Sequence, residues 1–283
     1  MIKAETVDSR RPLIMGILNV TPDSFSDGGD FLAPADAVSH GMQMAADGAD
    51  IIDIGGESTR PGAQRVPAAE QIMRVLPVIE TLRHKLPRHI IISIDTTLTE
   101  VARAACAAGA GMINDIAAGE EDAGILQLAA ESGTQLILMH KQGTPESMQR
   151  NPVYEDVVEE IRSYLLARAD SAIQAGVKQE NLILDPGFGF GKNLEHNLLL
   201  LASLPRLRET GYPIMIGTSR KSFLSRLCNN AARKDLVGAT CATTAMGVLD
   251  GIRLFRVHDV KANRQAADIA FALLGGRVTA SSQ

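Results

Sequence analysis

The chain has 283 residues, 45% hydrophobic, 22% charged and 4% aromatic, with no tryptophan; 28 lysines and arginines oppose 33 aspartates and glutamates, for a net charge of −5. It shows no basic tract and no apolar run near the roughly 20 residues of a membrane span, which argues against nucleic acid or membrane as partners. The opening MIKAETVDSRRP is too polar for a signal peptide, and Cys106, Cys228 and Cys241 have neither paired nor zinc spacing, so a reduced, cytoplasmic protein is expected.

Strands are expected to begin near residues 14, 51, 90, 111, 135, 181, 213 and 252. Each is a short continuous apolar run, the pattern of a parallel strand covered on both faces. Helical periodicity fills the intervals 34–47, 67–86, 97–108, 121–132, 153–175, 195–210, 235–249 and 259–274. Gly48, Gly109, Gly133, Gly176, Gly211 and Gly251 each sit just before a strand, where a helix end favours a left-handed residue. The junctions GADIIDIG at 48–55 and GAGMINDI at 109–116 are near copies of one strand–helix unit. Eight such units predict an α/β fold, a (β/α)8 TIM barrel of one domain over 1–283 with the barrel proper at about 13–275; an open doubly wound sheet is second.

The runs end on residues able to do chemistry. The first run, ILN at 17–19, ends at Asn19, IIDIGG leads to Glu57 and Ser-Thr-Arg at 58–60, and IISID ends at Asp95. Asn114 and Asp115 close the fourth run, His140 follows the fifth and Asp185 ends the sixth. The seventh opens onto Thr218-Ser219-Arg220-Lys221, and the eighth presents Arg256, His258 and Asp259. Loops after strands 1, 2, 5 and 6 are long and rich in Gly and Pro, whereas those before strands are short. In a barrel the loops after strands build the active site, so length and polarity point to one face.

On that face Asp95, Asn114 and Asp185 suit a flat heterocycle rich in N–H donors, although a lone Asp95 before Thr96-Thr97 is more simply a helix cap. Ser219, Arg220, Lys221 and Ser222, with Arg256 and His258, suit an anion between strands 7 and 8; the plainer alternative is a surface ion-pair cluster. Asn19 and Asp27 are candidates for a divalent cation such as Mg²⁺. The run DPGFGFGK has neither P-loop nor dinucleotide spacing, and a Ser219–Lys221 hydrolase pair lacks a recognisable oxyanion hole. Lys221 as a Schiff-base lysine is a further alternative. His140 and Asp115 receive no role.

Read together, GILNVTPDSFSDGG, IDIGGESTRPGA, SIDT, INDI, LMHKQGTP, LDPGFGFGKN, GTSRKSF and RVHDV, in this order over nearly the whole chain, resemble the dihydropteroate synthases. The resemblance implies condensation of 6-hydroxymethyl-7,8-dihydropterin diphosphate with p-aminobenzoate, releasing pyrophosphate, in a cytoplasmic Mg²⁺-dependent homodimer open to sulfonamides. It implies pterin contacts from Asp95, Asn114, Asp185 and Lys221. Asn19, Thr59, Arg60, Arg256 and His258 would hold the diphosphate, with Asn19 and Asp27 on the metal. Phe25, Pro61, Phe190, Lys221 and Ser222 would hold p-aminobenzoate. Asp95, Lys221, Arg256 and His258 are the expected catalytic residues. Loss of Arg256 is expected to cost turnover while sparing binding of a pterin without phosphates. A corrinoid-type pterin methyltransferase is the nearest rival, disfavoured by the anion-binding residues; a non-catalytic pterin-binding barrel is the other, disfavoured by intact loops.

Overall fold

The computed structural model describes residues 11–21, 34–58, 65–143, 148 and 152–280. Eight strands follow in chain order: β1 (Leu13–Asn19), β2 (Ile51–Gly55), β3 (Ile91–Asp95), β4 (Met112–Asp115), β5 (Gln135–Met139), β6 (Leu182–Asp185), β7 (Met215–Ile216) and β8 (Leu254–Val257). All pair in parallel in the order β6-β5-β4-β3-β2-β1-β8-β7. A parallel bridge between Leu184 and Ile214, with Leu184 N–H donating to Pro213 O at 2.9 Å, joins the two outer strands. The sheet thereby closes into the expected (β/α)8 barrel.

Residue alternation along each strand divides the core in two. Ile14, Leu18, Ile52, Ile54, Ile92, Ile94, Ile113, Leu136, Leu138, Leu182 and Leu184 belong to the large cluster shared with the helices. The alternate residues Leu13, Met15, Ile51, Ile91, Met112, Ile137, Ile183, Met215 and Leu254 form a separate plug inside the barrel. Because side chains on a strand repeat every two residues, the next inward positions are Ile17, Asp53, Ser93, Asn114, Met139, Asp185, Gly217 and Arg256, with Asp95 two residues further along β3. An apolar floor thus carries a largely polar storey directly above it.

The helices are α1 (Pro34–Ala46), α2 (Ala68–Lys85), α3 (Thr99–Ala107), α4 (Gly124–Ser132), α5 (Val157–Gln174), α6 (Leu194–Ala202), α7 (Leu204–Arg208), α8 (Ser222–Leu227), α9 (Val237–Leu249) and α10 (Val260–Ala280). One expectation changes: the helix predicted over 195–210 breaks at Ser203, with Pro205 in the first turn of α7. Proline lacks an N–H and clashes with the preceding turn, so it starts a helix more readily than it continues one. The short α8, immediately after the Ser-Arg-Lys run, adds a helix to the eight expected. None of the described helices is long and apolar enough to cross a membrane.

Candidate active site

Above the plug, strand ends and the loops after them enclose a cavity of about 350 Å³. Asn19, Asn114, Asp185, Phe190, Lys221, Ser222, Arg256 and His258 all line it, so residues from five strands and their loops meet as expected. Ser58, Met139, Met148, Arg233 and Lys234 also line it. Phe25, Asp27, Thr59, Arg60 and Pro61 lie outside the described residues.

The floor is an ion-pair network that reaches beyond the expected residues. Arg256 donates from Nε to Asp53 Oδ2 at 2.6 Å and from a terminal nitrogen to Asp95 Oδ2 at 2.5 Å. Asp53 Oδ2 also accepts from Asn114 Nδ2 at 3.0 Å. Asp53 is fully buried in the middle of β2, and the pattern reading passed over it. The signal was present in IIDIG: a strand covered on both faces carries a charge only when something pairs it. Asp95 is buried too, but it stands behind the Arg256 guanidinium and is not among the cavity-lining residues. Burial pushes its carboxyl up to about 7, with Arg256 opposing.

This network alters the expectation for Arg256. Its removal would leave Asp53 and Asp95 facing each other as unpaired buried carboxylates, so pterin and diphosphate binding are not expected to separate cleanly in an Arg256 variant.

Asn114 turns its Oδ1 away from Asp53, and among the described residues this buried oxygen has no hydrogen-bond partner. Asp185, buried at the end of β6, accepts from Gly187 N–H at 2.7 Å. Burial raises its pKa, while that N–H and the charges of Lys221, Arg256 and Lys192 oppose the shift. Two acceptors on the cavity wall are what a donor-rich heterocycle needs.

Lys221 donates to Phe188 O and holds its ammonium 4.2 Å from the centre of the Phe190 ring. Burial lowers its pKa to about 8, against the pull of Asp185. Ser222 opens α8, which has only six residues and sums few peptide dipoles. An anion there would therefore depend on the hydroxyl and neighbouring cations more than on the helix.

The loop after β6 owes its shape to two residues the sequence reading left without a role. Lys192 is buried, and its three N–H groups have three acceptors: His140 Nδ1 at 3.0 Å, Gly187 O at 2.9 Å and Phe190 O at 2.9 Å. His140 accepts as a neutral ring, since burial and then the Lys192 charge lower its pKa to about 3. Gly189 N–H donates to Asn197 Oδ1 at 2.7 Å, tying the same loop to α6. Asp115 likewise staples its own turn, accepting from Ala117 and Gly119 N–H at 2.8 and 2.6 Å.

A metal would have little protein to hold it. Among the described residues no group of three His, Cys, Asp or Glu is placed to bind one. Asn19 does offer a hard carboxamide oxygen on the cavity wall at the end of β1. Mg²⁺ typically takes only one or two protein oxygens when phosphate oxygens complete its shell, so this donor set fits it.

Comparison with known proteins agrees with this geometry. Residues 15–258 match the family of pterin binding enzymes. Curated dihydropteroate synthases of Synechocystis sp. and Escherichia coli are 46% and 45% identical to the chain, covering 93% and 96% of it and 91% and 95% of themselves. A Yersinia pestis dihydropteroate synthase solved with a sulfonamide drug superposes with a TM-score of 0.88 at 42% identity, covering 94% of this chain and 95% of its own. The Xanthomonas albilineans enzyme solved with 4-aminobenzoic acid gives 0.87 at 45% identity, covering 93% of each chain. A closed barrel with acceptors and cations in one cavity is thus a pterin-binding enzyme. Within that class, the chain belongs to the dihydropteroate synthases, transferases of folate biosynthesis.

Proposed function

We propose that this chain joins p-aminobenzoate to 6-hydroxymethyl-7,8-dihydropterin diphosphate by a dissociative path, in which the carbon–oxygen bond to diphosphate breaks before the amine attacks. The supporting observation is that a single cavity has acceptors, Asn114 and Asp185, and cations, Lys221 and Arg256, on its wall. The pterin's N–H and NH2 groups donate to Asn114 Oδ1 and Asp185, while Lys221 donates back to the ring.

Arg256 and His258 hold the departing diphosphate, fixed positive charge and donors being worth most where negative charge develops. By the family resemblance, Thr59 and Arg60 would join them in holding the diphosphate. Asn19 and, by the family resemblance, Asp27 would hold a Mg²⁺ ion, which would supply further positive charge for the departing diphosphate. Asp95, paired with Arg256 just behind the cavity wall, contributes the negative charge that stabilises the pterin cation. Phe190 and the Lys221 stem flank the p-aminobenzoate ring and Ser222 meets its carboxylate, while Phe25 and Pro61 would complete its frame by the family resemblance. An aromatic amine is a modest nucleophile, so its positioning behind the cationic carbon carries the second step.

The pH dependence follows from two of these groups. Below about 7 Asp95 takes up a proton and loses its charge; above about 8 Lys221 gives one up and loses its own. Hence kcat/KM for the pterin diphosphate is expected to rise with pH through the first value and fall through the second. A flat profile from roughly pH 6 to 9 would count against both assignments.

The reaction itself is tested by pyrophosphate release with and without p-aminobenzoate. Release strictly dependent on the amine, with sulfonamides competing against it, is expected; no release, or release indifferent to the amine, would sink the proposal.

We further infer a cytoplasmic homodimer. Met246, Ile269 and Leu273 on α9 and α10 are 50%, 68% and 56% exposed, beside a shallow apolar surface formed by Ala245, Leu249 and Ala266. A second copy of this face would cover them.

A further inference from the structure

We propose that Ser219 is a positioning residue for His258, its hydroxyl keeping the proton of the neutral imidazole on Nε2. This rests on the reading of His258 as a ligand of the leaving diphosphate. Ser219 follows β7 and His258 follows β8, and Ser219 Oγ lies 3.0 Å from His258 Nδ1. The same oxygen accepts the His258 backbone N–H at 3.1 Å.

Counting hydrogens assigns the direction of the first bond. A serine hydroxyl has one proton to give and two lone pairs to receive with. One lone pair is already taken by the backbone N–H. If Nδ1 carried the ring proton, it would use the second lone pair, and the Ser219 proton would need a third partner. Ser219 is only 4% exposed, and among the described residues its hydroxyl has no acceptor besides His258. Among the described residues, the arrangement that gives the Ser219 proton an acceptor has Oγ–H donating to Nδ1, which places the ring proton on Nε2.

The spacing between the two residues is built into the backbone. Arg220, next to Ser219, has a left-handed φ of 58°, uncommon outside glycine and asparagine. Its guanidinium grips Asp259, next to His258, through Nε to Oδ2 at 3.1 Å and a terminal nitrogen to Oδ1 at 2.7 Å. This two-point ion pair fastens the turn after β7 to the end of β8 and holds Ser219 against the ring. Both Ser219 and His258 line the cavity, so the imidazole with its proton on Nε2 is a hydrogen-bond donor at a site where the diphosphate presents only acceptors.

The test uses the full chain labelled with ¹⁵N-histidine at a pH where the ring is neutral, with the His258 signals assigned by their loss in His258→Ala. Long-range ¹⁵N–¹H couplings report which nitrogen holds the proton. The wild-type ring is expected to be protonated on Nε2, with part of the population moving to Nδ1 in Ser219→Ala. Turnover of the pterin diphosphate in that variant is expected to fall roughly 10- to 100-fold, the usual cost of losing the orienting partner of a working histidine. KM for p-aminobenzoate should not move, and Ser219→Thr, which keeps the hydroxyl, should restore both tautomer and turnover.

A wild-type ring protonated on Nδ1, or a tautomer unchanged in Ser219→Ala, would overturn the proposal; the wild-type measurement decides even if the variant fails to fold. Full turnover in His258→Ala would instead overturn the reading of His258 as a diphosphate ligand, whichever tautomer is observed.

Discussion

Asp185→Ala is expected to lower kcat/KM for the pterin diphosphate by roughly 10²- to 10³-fold, the equivalent of about 3–4 kcal/mol for removing one partner of a buried charged set. Asp185 is 4% exposed, anchors the Gly187 N–H, and balances the charges of Lys221, Arg256 and Lys192. The alanine variant would lose a ligand acceptor, a loop anchor and a counter-charge together. Asp185→Asn separates them, because its carbonyl oxygen can still accept from Gly187 while the negative charge is gone. Thermal stability near wild type with greatly weakened pterin binding by calorimetry is the expected outcome for Asn. Catalysis within threefold of wild type in that variant would remove Asp185 from the pterin site.

Gly187→Ala is expected to be nearly as costly, for a steric reason. Gly187 has φ +68°, and a β-carbon built there would lie 1.9 Å from the His140 carbonyl oxygen. Neither atom can yield cheaply, since His140 N–H is bonded to Asp185 O at 2.9 Å and its ring to Lys192. The loop after β6 would have to move. That loop supplies Phe188 O to Lys221, places Phe190 beside the ammonium, and gives two carbonyls to Lys192. A displacement of about 1 Å in a positioning element costs on the order of 10²-fold in rate. We therefore expect kcat/KM for p-aminobenzoate to fall by about that factor, with a lower unfolding midpoint. Wild-type kinetics and stability together would show that the loop tolerates a side chain there.

The polar strand ends were legible because barrel topology makes them meet. Asn19, Asn114, Asp185, Arg256 and His258 are far apart in the chain and share one cavity for no reason other than parallel strands ending on one side. Asp53 escaped because it lies in mid-strand, where pattern reading attends to periodicity and not to the one charged exception. Lys192 escaped for a different reason: its motif was compared with phosphate loops, while its work is to hold three acceptors in its own neighbourhood. The pairing of Arg256 with Asp95 was illegible in principle, since 161 residues separate them and both faced the same expected ligand.

Sequence alone determined the class of fold, the face that carries chemistry, and the chemical sign of most groups on it. Those properties follow from local rules: two-sided burial writes continuous apolar runs, and loops after strands collect polar residues. Tertiary structure decided which groups reach the ligand and which hold the groups that do. It put Asp95 behind Arg256, gave His140 to Lys192, and set Ser219 against His258. Such pairings depend on side chains crossing from one strand end to another over a few ångströms, a distance that no spacing along the chain records.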